Sequence, residues 1–259
     1  MPFAEINHTN LFFRATGKGI PIILIHPPLL TKENFFYQQE NLSEFFRIIT
    51  FDIRGHGDSK PTDEEITYSL IVKDIIALMN HLEIEKAFIG GYSTGASIAF
   101  EAILNYPERF LGGIIIGGMS EASGLILRNE IKIGIAITKY RWKRLIAHTI
   151  SKSNANNKVM YQRLYQDAMK GDIAHWHQYY KCSLFYNCTN RLNEIKQPML
   201  LIYGKTNFMF YPYANILKNG LLNHSLYMID GKDHQLPTKA AEKTNQVIQN
   251  WLKKICNTT

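Results

Sequence analysis

Residues 90–96 read "GGYSTGA", which places Ser93 between glycines two positions away on either side. The stretch follows the apolar run "KAFI" and precedes "SIAFEAILNYPERF", which has the composition of a helix. A serine on a sharp turn from a strand into a helix exposes its hydroxyl at the carboxyl end of the strand, where open α/β sheets bind ligands. Because so short a match also arises by chance, the rest of the chain decides whether Ser93 is a nucleophile.

Strand-like and helix-like segments alternate on both sides of this turn. Continuous apolar runs rich in β-branched residues are typical of strands buried on both faces; they are "PIILIHP" (21–27), "RIITFDIRG" (47–55), "LGGIIIGG" (111–118) and "PMLLIYG" (198–204). Residues 68–84 and 238–255 carry apolar side chains at helical spacing. The pattern predicts an α/β fold with a mostly parallel central sheet covered by helices on both faces.

The alternation is interrupted once, by about 75 helix-rich residues without a convincing strand. We therefore predict an α/β core built from residues 1–119 and 197–259, with a helical cap inserted at 120–196. Residues 121–195 hold 12 Lys and Arg against 5 Asp and Glu, whereas the rest of the chain is balanced. The net charge of +7 is thus that of residues 121–195.

The composition is that of an ordinary globular protein, with 46% hydrophobic and 20% charged residues in 259. No apolar run approaches the ~18 residues of a spanning helix, and the first residues lack a signal-peptide pattern. Cys182, Cys188 and Cys256 form an odd set without metal-ligand spacing, so free thiols and a cytoplasmic location are expected. No nucleic-acid-binding module is recognisable, and no metal or cofactor is expected.

A serine hydroxyl is a weak nucleophile and needs a base. Among the nine histidines, His234 follows the last predicted strand, "SLYMIDG" (225–231), and precedes the closing helix. A nucleophilic serine followed late in the chain by histidine is the hydrolase order. We predict that His234 Nε2 lies within hydrogen-bond reach of Ser93 Oγ, and that the Thr94 N–H is one donor of an oxyanion hole.

Five motifs in order make the chain resemble the α/β-hydrolase superfamily. They are "HPPLL" (26–30), "DIRGHGDS" (52–59), "GYSTG" (91–95), "YGKTN" (203–207) and "GKDH" (231–234). The resemblance covers nearly the whole chain except the cap, and it implies a capped serine hydrolase. The epoxide-hydrolase and haloalkane-dehalogenase branches use aspartate at the elbow, so Ser93 separates this chain from them.

Asn207 stands where members of that superfamily usually carry the aspartate of the triad. Aspartate orients the histidine and stabilises the imidazolium formed in the reaction, whereas asparagine can only orient it. If the NH2 group of Asn207 faces the ring, the wrong tautomer is favoured. Glu121, directly after the strand beside the elbow strand, is the alternative acid; otherwise it is a solvated residue at the cap hinge.

Pro28 occupies the position that usually supplies the second oxyanion donor, and proline has no N–H. Leu29 must donate instead, or the hole lacks one donor. His26 is expected to be structural, and "HWH" (175–177) to pack within the cap, because residues two apart lie on nearly opposite faces of a helix. "RWKR" (141–144) is interpreted as a solvated basic face, with an anionic substrate or membrane surface as the alternative.

These features predict a serine hydrolase, carboxylesterase-like, that cleaves a small ester or thioester through an acyl-enzyme. Aromatic side chains abound in the cap, so an apolar or aromatic pocket is expected. Cleavage of a carbon–carbon bond is a second enzymatic alternative. A ligand-binding protein with weak or lost catalysis is the alternative from another class. A homodimer is left open.

Overall fold

The computed structural model describes residues 2–256. An eight-stranded sheet forms its centre, in the order β1-β2-β4-β3-β5-β6-β7-β8. The strands are β1 (Phe3–Ile6), β2 (Thr9–Thr16), β3 (Pro21–Ile25), β4 (Arg47–Phe51), β5 (Ala87–Tyr92), β6 (Phe110–Ile116), β7 (Met199–Gly204) and β8 (His224–Ile229). Strands β1 and β2 pair antiparallel with their neighbours, and all pairs from β4 to β8 are parallel.

Helices cover both faces of this sheet and explain the continuous apolar runs of the central strands. Every residue of β5 and β7 is buried, because a strand with helices on both sides has no solvent-facing position. The core helices are α1 (Phe36–Leu42), α2 (Tyr68–His81), α3 (Gly95–Asn105), α8 (Tyr211–Gly220), α9 (Leu236–Lys239) and α10 (Ala241–Cys256). The predicted fold class is confirmed, although the closing helix is divided at Ala240 into α9 and α10.

Four helices lie between β6 and β7, in the segment predicted to be the cap. They are α4 (Leu125–Lys139), α5 (Lys143–Asn154), α6 (Lys158–Ala168) and α7 (Ile173–Phe185). Helix α4 packs on α7, and α5 packs on α6. A single β-bridge joins Glu121 to Asn187, where the chain leaves the core and returns to it.

A buried ion cluster joins α6 of this segment to the core. Lys32 lies in the 3₁₀ turn Lys32–Phe35 after β3, and its side chain is 2% exposed. Its Nζ lies 3.0 Å from carboxylate oxygens of Asp52 and Asp58, and 2.9 Å from Asp167 at the end of α6. Burial opposes the charge of Lys32, but the surrounding carboxylates hold its pKa above the ordinary value. We call these four residues the Lys32 cluster.

No helix in residues 2–256 is both long enough and apolar enough to cross a membrane. The three cysteines are free thiols, as expected.

Candidate active site

The turn at Ser93 has the geometry of a nucleophile elbow. Ser93 follows β5 directly, adopts a left-handed φ of +55°, and precedes α3. A Cβ on Gly91 would lie 2.3 Å from the Gly95 backbone, and a Cβ on Gly95 would lie 2.3 Å from the Ile25 carbonyl oxygen. The glycines of the motif are therefore required because strand, turn and helix approach too closely for side chains.

His234 lies in the loop between β8 and α9, and its Nε2 is 3.0 Å from Ser93 Oγ. The Phe210 ring stacks on the imidazole with a centroid distance of 4.1 Å, and Tyr92 packs at 5.1 Å. Asp233 Oδ1 accepts a hydrogen bond from the backbone N–H of His234 at 2.8 Å. Burial lowers the pKa of His234 to about 4, so the imidazole is neutral at neutral pH.

Asn207 follows β7, is 4% exposed, and contacts the other ring nitrogen of His234. Its Nδ2 lies 3.1 Å from His234 Nδ1 and donates to it. With Nδ1 as acceptor, the ring proton resides on Nε2, and that tautomer cannot take a proton from Ser93. Within residues 2–256 the Asn207 amide makes no other hydrogen bond, so a half-turn that brings Oδ1 to the ring breaks no further contact.

Glu121 is not brought to His234. One carboxylate oxygen accepts hydrogen bonds from Asn187 Nδ2 and Thr189 Oγ1, both at 2.8 Å. Both partners lie where the chain returns from the cap helices, so these bonds tie the two connections together. The ring nitrogen predicted to meet an acid meets Asn207 instead.

The residues predicted for the oxyanion hole, Thr94, Pro28 and Leu29, differ in their position relative to the cavity. Thr94 lines the cavity beside Ser93, and its N–H donates to no other group of residues 2–256. Pro28 also lines the cavity but has no N–H to offer. Leu29 is fully buried with a left-handed φ of +71° and does not line the cavity. Of these three residues, only Thr94 presents both an N–H and a cavity-lining position.

His26 has both ring nitrogens engaged by the backbone. Its Nδ1 donates to the Pro27 carbonyl at 2.9 Å, and its Nε2 accepts from the Ile53 N–H at 3.0 Å. Burial lowers the pKa of His26 to about 4. His26 therefore ties the loop after β3 to the loop after β4, in agreement with a structural role.

The histidines of "HWH" have separate partners. His175 bonds to Asp172 and to the Thr62 N–H, whereas His177 bonds to Thr138. A group of three carboxylates with metal-like spacing does exist, at Asp52, Asp58 and Asp167, but the ammonium of Lys32 occupies its centre.

A cavity of about 500 Å³ opens above Ser93 and is lined by both the core and the inserted helices. The side chains from α4 and α5 are mainly aliphatic: Leu127, Ile131, Ile133, Ile137, Ile146 and Ile150. Tyr180 is the cavity's one aromatic residue from the helices α4–α7 within the described chain. The pocket is therefore mainly apolar, and the wall that α4 and α5 form is aliphatic.

The charge of the cavity is opposite to that of the cap surface. Among the described residues, no Lys or Arg lines the cavity, whereas Glu130 and Asp233 do. Burial raises the pKa of Glu130, and no cation in residues 2–256 is paired with it. The "RWKR" stretch lies outside the cavity lining, so it does not contact a substrate held there.

A family model of the alpha/beta hydrolase fold matches residues 20–133, and the order of the strands in the sheet agrees with that fold. The chain has the α/β-hydrolase fold.

Known relatives match part of the chain. A probable alcohol acetyltransferase of Cyberlindnera fabianii is 30% identical over 99 residues, and AB hydrolase superfamily protein YisY of Bacillus subtilis (strain 168) is 37% identical over 110. These matches cover 38% and 42% of this chain, and 27% and 41% of the relatives, so the chain spans less than half the length of either.

Other similarities extend over the whole chain. Serine hydrolase BPHL of Mus musculus is 22% identical over 96% of this chain and 84% of its own. The structure of a thermophilic esterase from Thermogutta terrifontis superposes with a TM-score of 0.84 at 21% identity, covering 98% of this chain and 97% of the esterase. At that identity the likeness establishes the fold.

The candidate site contains residues that the sequence motifs did not reveal. Phe210 stacks on His234, and it follows Asn207 by one 3₁₀ turn (Phe208–Phe210). The aliphatic lining from α4 could have been suspected from the helical spacing of Leu127, Ile131 and Gly134. No sequence signal connects Lys32 with Asp167, which lies 135 residues away.

Proposed function

We propose that this α/β-hydrolase is a serine hydrolase that cleaves a small carboxylic ester or thioester with an aliphatic acyl group. The proposal rests on the geometry at Ser93. His234 Nε2 lies 3.0 Å from Ser93 Oγ, and Ser93 has a left-handed backbone conformation at the turn between β5 and α3. The hydrolase and esterase names of several relatives support the same reaction class.

The proposed reaction proceeds in two steps. Ser93 Oγ attacks the carbonyl carbon while His234 Nε2 takes its proton, and His234 then gives that proton to the departing alcohol or thiol as the bond to the carbonyl carbon breaks. Water attacks the acyl-serine with His234 as base, and the acid departs as Ser93 regains its proton. The base must carry its own proton on Nδ1, so the Asn207 amide must present Oδ1 during turnover.

Stabilisation of the oxyanion is expected to be weaker than in an enzyme with two donors. Thr94 supplies one backbone N–H beside Ser93, whereas Pro28 supplies none. Losing one donor typically lowers turnover by about 10²–10³-fold. The proposal is therefore of a slow esterase, best measured with activated esters.

The cavity indicates which esters suit the enzyme. Its aliphatic wall favours an unbranched or branched alkyl acyl group, and its volume of about 500 Å³ accommodates a medium-sized one. Glu130 and Asp233 repel a substrate carboxylate, and no lining cation attracts it. We expect a neutral butyl ester to be hydrolysed at least about fivefold faster than its isosteric monoanion, the difference that ~1 kcal/mol of repulsion produces.

Covalent labelling tests the proposal directly. A fluorophosphonate probe should add to Ser93, and intact mass should show one adduct on the native protein and none on Ser93→Ala. Ser153→Ala is the matched control, because Ser153 lines the same cavity and should leave labelling unchanged. A native protein that stays unmodified while folded is not a serine hydrolase.

A ligand-binding protein on the same fold is the second candidate. It is favoured by the uncharged Asn207 at the acid position and by Pro28 at the oxyanion turn. Failure of labelling, together with saturable binding of a neutral aliphatic ester, would favour it.

A further inference from the structure

An exposed apolar stripe runs along α4. Ile126, Ile133 and Tyr140 follow one another at intervals of seven residues, which brings each to nearly the same face after two turns. They are 65%, 58% and 67% exposed, respectively. Two large apolar side chains on one face of α4, and a third at Tyr140 directly after its last residue, are uncovered by the rest of the described chain.

The start of α5 extends the stripe. Trp142 and Leu145 are 58% and 49% exposed, and the Trp142 ring lies 6.0 Å from that of Tyr140. Single exposed apolar residues are ordinary, but contiguous patches mark surfaces that meet something apolar. Tyr and Trp are enriched where a surface is apolar on one side and wet on the other. We call Ile126, Ile133, Tyr140, Trp142 and Leu145 the cap stripe.

Basic residues flank the cap stripe almost without acidic ones. Residues 125–145 contain six Lys and Arg and one acid, Glu130. Arg128 donates to the Ala122 carbonyl, and Lys143 lies over the Trp176 ring. Among residues 2–256, no carboxylate forms an ion pair with Lys132, Lys139, Arg141 or Arg144. The segment that carries the cap stripe therefore also exposes four cations, Lys132, Lys139, Arg141 and Arg144.

The catalytic cavity opens beside this face. Ile133 belongs both to the cap stripe and to the cavity lining, and it is exposed at the same time. Thr149 on α5 is likewise an exposed lining residue. Whatever covers the cap stripe therefore also faces the mouth of the cavity.

We propose that the cap stripe and its flanking basic residues bind an anionic lipid surface, with the cavity mouth turned toward the lipid. A helix with apolar residues on one side and Lys and Arg beside them lies in the interface of a bilayer, and anionic headgroups attract the cations. A second copy of the chain fits less well, because two such faces would bring their positive charges together. Substrate that is dissolved in the lipid then reaches Ser93 without crossing water.

Vesicle binding tests this surface independently of catalysis. The native protein should sediment with phosphatidylcholine vesicles containing phosphatidylglycerol, and much less with phosphatidylcholine alone. Trp142 is the one exposed tryptophan, since Trp176 and Trp251 are buried. Its emission should therefore shift to shorter wavelength on binding, and Trp142→Phe should abolish the shift.

Two double variants separate the apolar and the ionic contributions. Lys139→Gln with Arg141→Gln should weaken binding about 25-fold, since each basic residue near the surface contributes about fivefold. Ile126→Ser with Trp142→Ser should weaken binding while leaving hydrolysis of a soluble short ester unchanged, because neither residue lines the cavity. Leu222→Ser is the matched control, as Leu222 is 66% exposed outside the inserted segment.

Several outcomes would overturn the proposal. Native protein that does not sediment with anionic vesicles would do so, and so would equal binding to the zwitterionic ones. Equal loss in Leu222→Ser would show that the apolar contribution is not specific to the cap stripe. Dimerisation that depends on Ile126 and Trp142, without vesicle binding, would assign the face to a second copy. Native protein that hydrolyses esters but does not bind anionic vesicles refutes only this inference, whereas unlabelled Ser93 refutes only the proposed function.

Discussion

Two clusters of polar side chains lie at the carboxyl edge of the same sheet, and they differ in charge. In the Lys32 cluster one ammonium contacts three carboxylates at 2.9–3.0 Å, after β3 and β4 and at the end of α6. In the group proposed to be catalytic, Ser93, His234 and Asn207 follow β5, β8 and β7 and carry no formal charge at neutral pH.

The two groups of side chains use charge differently. In the Lys32 cluster, buried opposite charges join α6 to the core. At the catalytic group, the carboxylate that would stabilise an imidazolium is replaced by an amide. The distance between Ser93 and His234 thus suits proton transfer once Asn207 turns its Oδ1 to the ring, while the electrostatic contribution is reduced. The following predictions test that separation.

Restoring the missing charge should have the largest effect. Asn207→Asp places a carboxylate at His234 Nδ1, and the opposite change lowers turnover by ~10⁴-fold in a serine protease. We expect kcat on a p-nitrophenyl ester to rise by up to about that factor. Gln235→Glu adds the same charge to the cavity without contacting the ring nitrogen, and it should change little. Unchanged kcat in Asn207→Asp would mean that charge at this position does not limit the reaction.

Removing charge from the other cluster should affect stability. Lys32→Met leaves the buried Asp52 without its cation and takes one of two cations from Asp167, and breaking such a cluster typically costs about 3–5 kcal/mol of the free energy of unfolding. Urea denaturation measures the loss. Lys170→Met is the control, because Lys170 contacts Asp58 and Asp167 but is about half exposed, and it should cost under ~1 kcal/mol. Equal losses in the two variants would contradict the importance of burial.

The pH dependence of kcat/KM should show that the neighbour of His234, Asn207, carries no charge. The base must be neutral, so kcat/KM falls as the pH drops through its pKa, which burial lowers to about 4. The acidic limb of the native enzyme should therefore lie near pH 4, and in Asn207→Asp it should move to higher pH, because a nearby negative charge favours the imidazolium. Circular dichroism at each pH controls for unfolding. A native limb near the ordinary histidine value of ~6.5 would contradict this account.

The smallest effect is expected at Glu121. Its carboxylate is engaged by Asn187 and Thr189, and it does not contact His234. Glu121→Gln should therefore change kcat by less than about twofold, since the amide keeps an oxygen to accept from them. A loss of several orders of magnitude in a folded variant would show that Glu121 is the acid after all.

Much of the core was predictable because its signals are local. The apolar runs of β3, β5 and β7 and the turn at Ser93 are readable from neighbouring residues, since burial and turn geometry constrain residue type at short range. The position of His234 followed from chain order. Asn207 was recognised as a departure only through the resemblance to a family.

Tertiary structure decided what depends on distant segments. The orientation of the Asn207 amide and the hydrogen bonds of Glu121 could not be read from their neighbours in the sequence. Lys32 and Asp167 form a hydrogen bond although 135 residues separate them in the sequence, and no sequence pattern predicts that contact. By itself, the amino-acid sequence determined the fold class and the strands of the sheet. Which side chains meet across the cavity was decided only by packing, because contacts between elements depend on orientations that local sequence patterns do not encode.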